Sequence, residues 1–189
     1  MLNTANILTL SRLAAIPLVV GCFWLDRGWS QWLSMGLFVA AAITDYFDGY
    51  VARRYRQISR LGRFLDPIAD KLLVAAALLM LVDRGTLSGI HVLAALIILA
   101  REILVSGLRE FLAELRVGLP VSQLAKWKTA VQMIAIALLL VGDAASPLIA
   151  TLGIWGIWIA AGLTLMTGYD YLRTGLRHMA EDTPPGAAE

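Results

Sequence analysis

Four aspartates carry the chemistry this chain could do. Asp45 and Asp48 stand three residues apart, and Asp66 and Asp70 stand four apart. On helices each spacing puts its two carboxylates on one face. The first pair falls in the second half of an apolar run and the second pair opens the next run, so both flank one short connection. Charged side chains at such places are costly in lipid and mark function by default. Two antiparallel helices joined there can point all four carboxylates into one pocket, where they repel unless cations neutralise them. Hard divalent ions such as Mg²⁺ or Mn²⁺ take oxygen ligands. Four shared carboxylates suit two ions about 3.5–4 Å apart, an arrangement used for in-line displacement at phosphorus. The plainer alternative is that the acids pair with Arg53, Arg54, Arg56, Arg60, Arg63 and Lys71 at the helix ends. Two same-face pairs around one connection favour the metal reading.

The residues between the pairs suit a phosphate ligand. Gly49 and Gly62 lack side chains, so backbone or ligand can approach closely. Ala52 is small and lies on the face of Asp45 and Asp48, and Arg53 can fork onto a phosphate. Pro67 follows Asp66 directly, which suggests a helix that begins near Asp66, because proline is tolerated in a first turn.

The elements that must position these groups can be read from the apolar runs. The chain has 189 residues, 59% hydrophobic and 16% charged, with a mean hydropathy of +0.72. An ordinary soluble domain is about 45–50% apolar and about 25% charged. Six apolar segments, near 8–25, 31–52, 64–82, 89–110, 124–142 and 147–170, each approach the roughly 20 helical residues that cross a bilayer. Asp26-Arg27-Gly28, Asp83-Arg84-Gly85, Leu119-Pro120 and Ser146-Pro147 separate them. The expected fold is therefore an all-α integral membrane bundle of six transmembrane helices. Residues 2–8 could form a surface helix ahead of it, and 1–12 read as mature protein rather than a signal peptide. One six-helix domain is expected over residues 1–177, followed by a polar, disordered tail at 178–189.

Charge placement orients the bundle. Of sixteen Lys and Arg, only Arg27 and Arg84 fall in connections on one side; the other fourteen lie near the start, at 53–71, at 101–128, or at Arg173 and Arg177. The positive-inside rule then puts both termini, and the aspartates, at the cytoplasmic face. The net charge of +2 gives no reason to expect nucleic acid. Cys22 reads as a packing residue; being the one cysteine, it excludes an internal disulfide. His91 and His178 read as incidental. Trp24, Trp29, Trp32, Trp155 and Trp158 suit an outer interfacial belt and Trp127 an inner one, while Gly153, Gly156 and Gly162 could allow close helix packing.

The string Asp45-x2-Asp48-Gly49-x2-Ala52-Arg53-x8-Gly62-x3-Asp66-x3-Asp70 resembles the full signature of the CDP-alcohol phosphatidyltransferase family. The resemblance implies six transmembrane helices, usually in a homodimer, with the active site facing the cytoplasm, here of a bacterial inner membrane. It implies that Asp45, Asp48, Asp66 and Asp70 hold two metal ions, that Asp70 is also the general base, and that Gly49, Ala52, Arg53 and Gly62 line the cytidine nucleotide site. Beyond the signature, 6–12, 65–72, 101–110 and 126–132 are similar to the bacterial members of the family that use sn-glycerol 3-phosphate as acceptor. Ala5 and Ala125 depart from that pattern, where proline and glycine are usual.

That similarity implies transfer of a phosphatidyl group from CDP-diacylglycerol to sn-glycerol 3-phosphate, with membrane lipids as surroundings. A dianionic acceptor needs cations; Arg101, Arg109, Lys126 and Lys128 are the candidates, with Ser106 as a hydroxyl donor and Glu102 and Glu110 as carboxylates that could hold the arginines. Lys126 and Lys128, two apart, do not share a helix face, so at most one is expected to point inward. The alternatives are a sister enzyme with inositol phosphate, serine or phosphatidylglycerol as acceptor, and a cation-coupled transporter. Against the latter, no internal repeat is visible and the acids cluster at one face.

Overall fold

Runs this apolar must close their own backbone hydrogen bonds, and the computed structural model is helical accordingly. It describes the backbone of residues 4–25, 28–55, 60–114 and 123–181, with side chains described except at 4–8, 45–55, 60–61, 63, 114, 143 and 176–181. Among the described residues lie six α-helices: α1 (Thr4–Cys22), α2 (Ser30–Tyr55), α3 (Arg60–Asp83), α4 (His91–Glu114), α5 (Gln123–Val141) and α6 (Pro147–Glu181). A short 3₁₀ turn, Gly142–Ala144, joins the last two. α4, α5 and α6 contain stretches long and apolar enough to cross a membrane, at His91–Ala113, Gln123–Val141 and Pro147–Gly175.

The breaks fall where the turn chemistry asks for them. α3 stops at Asp83, and Gly85 follows with φ +79°, a conformation that favours glycine. α6 starts at Pro147, whose missing N–H costs nothing in a first turn; the Ser146 hydroxyl accepts from the Ile149 N–H at 3.3 Å. Residues 26–27 and Leu119-Pro120 lie outside the described residues.

Three expectations about helix ends need correction. α3 begins at Arg60, six residues before Asp66, so Pro67 sits inside the helix and not in its first turn. Pro67 removes one helical donor beside the aspartates, which the flanking turns of α3 tolerate. From Thr4 onward the opening residues are continuous with α1 and do not form a separate surface helix. α6 continues to Glu181, so the first part of the expected tail is helical; 182–189 lie outside the described residues.

α5 packs along α6 and against α2, α1 lies on α2 and α3, and α4 lies on α6. The core is built from Val19, Phe38, Leu73, Leu78, Ile98 and Ile136 together with the rest of one continuous apolar cluster. The α5–α6 contact is close because of two glycines. A Cβ on Gly153 would stand 2.8 Å from the Leu139 side chain, and one on Gly156 would stand 2.8 Å from the Ala135 Cβ. Gly162 faces open space and plays no such part. The outer faces of the bundle stay apolar: Leu79, Leu96, Ile103, Trp155 and Ile159 are all exposed. Such surfaces suit lipid contact and would be a liability in water.

Trp24, Trp29, Trp32, Trp127 and Trp155 are exposed, as an interfacial belt requires. Trp158 departs from the belt: it packs against the core, and its indole N–H donates to His91 Nδ1 at 3.0 Å. His91 thus ties α4 to α6 rather than being incidental. Cys22 is buried and free, as a packing residue should be.

Candidate active site

Gly62, Asp66 and Asp70 recur every four residues along α3 and so form one stripe of that helix. Gly62 is buried, and the two carboxylates are partly buried. α1 supplies a tether: Thr9, only 1% exposed, donates its hydroxyl to Asp66 Oδ1 at 2.5 Å. Asp45, Asp48, Gly49, Ala52 and Arg53 belong to the last turns of α2, which packs on α1 and α5 and touches α3 at its margin. Their side chains lie outside the described residues.

Asp70 opens onto a cavity of about 1690 Å³ bounded by α2 to α6. Its walls differ in character. Phe38, Val39 and Ile43 from α2 and Ile134 and Ala137 from α5 form an apolar part. Asp70 and Lys71 from α3 meet Arg101, Glu102, Ser106 and Arg109 from α4 and Lys126 and Lys128 from α5 in a polar part. All five candidates for an acceptor phosphate therefore border the same space as Asp70.

Burial separates the two lysines. Lys128 is 2% exposed and Lys126 is exposed, so the expected inward lysine is Lys128. Lys126 nevertheless borders the cavity. Only one of the two therefore points inward, as the spacing of two predicts, and Lys126 reaches the cavity from the exposed side of α5.

The cations are held by an arrangement that spacing could not reveal. Lys128 Nζ donates to Glu102 Oε1, and Glu102 Oε2 stands 3.6 Å from Arg101 Nη1. Arg101 is anchored on α6: Nη2 donates to Thr167 Oγ1 at 3.2 Å, and the guanidinium lies 5.7 Å from the Tyr171 ring centroid. A Cβ on Gly168 would come within 3.0 Å of Arg101 Cγ, so the arginine stem lies against bare α6 backbone. Its Nε is buried without a hydrogen-bond partner among the described residues. Lys71 Nζ donates to Ser106 Oγ, which leaves the serine O–H to donate.

Glu102 was expected near an arginine, and it is; its bond to Lys128 was not foreseen. Thr9, Lys71, Gln132, Thr167 and Tyr171 were given no positive role by sequence reasoning. A visible signal existed for the threonines and Gln132, polar residues inside apolar runs. Nothing in the spacing marks which of them meet.

The CDP-alcohol phosphatidyltransferase family matches residues 2–166. The chain belongs to the CDP-alcohol phosphatidyltransferase family. It is 48% identical over 174 residues to the CDP-diacylglycerol--glycerol-3-phosphate 3-phosphatidyltransferase of Rickettsia bellii (strain RML369-C), covering 90% of this chain and 94% of that one. The protein of that name from Cereibacter sphaeroides is 39% identical over 214 residues, covering 94% and 97%. Arabidopsis thaliana has a relative, CDP-diacylglycerol--glycerol-3-phosphate 3-phosphatidyltransferase 2, 39% identical over 180 residues, covering 89% and 77%.

CDP-alcohol phosphatidyltransferases generally use a divalent metal. The described part of the donor set fits one. Two carboxylates one helical turn apart offer oxygen ligands of the kind hard divalent ions prefer, and Thr9 orients one of them as outer partners orient metal-binding carboxylates. The membrane setting expected of a phosphatidyltransferase agrees with the apolar outer faces of the bundle.

Proposed function

We propose that this chain transfers the phosphatidyl group of CDP-diacylglycerol to sn-glycerol 3-phosphate, giving phosphatidylglycerophosphate and CMP. The observation that carries the reading is the single cavity where Asp70 shares a wall with Arg101, Ser106, Arg109, Lys126 and Lys128. A carboxylate suited to take a proton stands beside a basic field suited to a dianion. The relatives whose names state both substrates align over most of this chain, which favours the same pair here.

In this reading the acceptor phosphate meets Arg101 and Arg109, with Lys126 at the rim and Ser106 donating its O–H. Lys128, bonded to Glu102, adds positive potential from behind. Arg101 Nε is a buried donor that a phosphate oxygen could satisfy. Asp70 takes the proton of the acceptor hydroxyl, for which it must come within about 2.6–3.2 Å. The hydroxyl oxygen bonds to the phosphorus that bears the diacylglycerol; the bond from that phosphorus to the bridging oxygen breaks, and CMP leaves with that oxygen. Two Mg²⁺ or Mn²⁺ ions held by Asp45, Asp48, Asp66 and Asp70 would neutralise charge on the diphosphate and on the departing CMP. Gly49, Ala52, Arg53 and Gly62 line the cytidine nucleotide. The apolar wall between α2 and α5 receives the acyl chains. Residues 1–177 act as one domain of six membrane spans in a homodimer. Both termini and the site face the cytoplasm of a bacterial inner membrane, with the polar 178–189 segment outside the bilayer.

The test is CMP release by the purified protein. Turnover should require CDP-diacylglycerol, glycerol 3-phosphate and either Mg²⁺ or Mn²⁺ together. Asp70→Asn should lower kcat by about 10²–10⁴-fold, the usual worth of a general base, while the protein stays folded. Faster turnover with inositol phosphate, serine or phosphatidylglycerol would reassign the acceptor. Near-normal activity of Asp70→Asn would remove the base.

A further inference from the structure

Gln132 lies one turn beyond Lys128 on the same face of α5 and is 2% exposed. It borders the cavity and is the last polar side chain that α5 contributes before Met133, Ile134 and Ala137. Its Oε1 is buried without a hydrogen-bond partner among the described residues. A buried carbonyl oxygen left unpaired is costly, and in a native protein it asks for a donor.

We propose that Gln132 is a specificity-determining residue, whose side-chain carbonyl accepts a hydrogen bond from the second hydroxyl of a polyol phosphate acceptor. The assignment rests on the proposed function. The chemistry of the two substrates separates them. The ester carbonyls and phosphates of a nucleotide-activated diacylglycerol accept hydrogen bonds and cannot satisfy another acceptor. A cytidine nucleotide has donors in its ribose hydroxyls and its exocyclic amino group, but its proposed place is near Gly49 and Gly62, on other helices. The acceptor, held by its phosphate among the α4 and α5 cations with one hydroxyl at Asp70, brings a neighbouring hydroxyl into this part of the cavity. Lys128 and Gln132 stand one helical turn apart, roughly 5.4 Å, so Gln132 lies next to the cationic part of the wall where the acceptor phosphate is held.

The site should therefore prefer glycerol 3-phosphate to 3-hydroxypropyl phosphate, which keeps the attacking hydroxyl and phosphate but lacks the secondary hydroxyl. Leaving one buried polar group unpaired predicts a preference of about 5- to 150-fold in kcat/KM. In Gln132→Met, of similar shape and without the amide, the preference should shrink to about threefold or less. The loss should fall on glycerol 3-phosphate, with little change for the analogue or in KM for CDP-diacylglycerol. Gln132→Asn, which withdraws the amide by one methylene, should lose the preference in the same direction and serves if the Met variant does not fold. An unchanged preference in a folded variant, or equal losses on both acceptors, would overturn the role of Gln132 alone. Wild-type protein that turns over neither acceptor would overturn the proposed function and this role with it.

Discussion

Replacing Glu102 with leucine tests the charge arrangement behind the cavity. Lys128 is 2% exposed and hydrogen-bonded to Glu102, which also stands 3.6 Å from Arg101. Removing the carboxylate leaves a buried ammonium without its counter-charge and brings two cations together unscreened. Breaking a buried pair in this way costs about 3–5 kcal/mol. The Glu102 side chain is 22% exposed, so water already screens part of its charge and the lower end, about 3 kcal/mol, is expected. For a chain of this size that corresponds to a fall of roughly 6–12 °C in Tm. Lys128→Met in the same chain should restore most of that loss, because both charges are then gone and a methionine stem fills the lysine's place. Turnover should not return with it. Melting of the detergent-purified wild type, the two single variants and the double variant completes the cycle. A Glu102→Leu protein melting within 2 °C of wild type would refute the reasoning, as would a double variant less stable than the sum of the singles.

Two further outcomes follow from contacts outside the basic wall. Thr9→Val removes the hydroxyl that holds Asp66 and should raise the Mg²⁺ or Mn²⁺ concentration for half-maximal activity by about 10–100-fold, with Thr9→Ser close to wild type; equal metal responses in a titration would remove this role for Thr9. Gly156→Ala places a Cβ 2.8 Å from the Ala135 Cβ and should cost about 1–3 kcal/mol by overpacking, whereas Gly162→Ala, with nothing within 4 Å, should stay within about 0.5 kcal/mol in the same melting assay.

The periodic and local features of this protein are legible in its residues alone. Long apolar runs had to become helices because lipid offers the backbone no partners, and Gly85 and Ser146-Pro147 mark ends that local backbone chemistry dictates. Spacing of four put Gly62, Asp66 and Asp70 on one stripe of α3, and the resemblance of the eight signature residues pointed to the family to which the chain belongs. Local rules also misled: beside Pro67 they suggested a helix start, yet α3 extends back to Arg60, since a single missing donor does not outweigh the turns on either side. Which side chains meet depends on how the helices cross. Thr9 reaches Asp66 across 57 positions, Glu102 reaches Lys128 across 26, and Arg101 reaches Thr167 across 66. Such pairs arise where helices cross, and the crossing is set by the packing of many apolar side chains and by bare backbone at Gly153, Gly156 and Gly168. No single spacing in the chain records that sum, so the shared stripe of Asp66 and Asp70 could be read in advance while the partners Thr9, Glu102 and Thr167 bring could not.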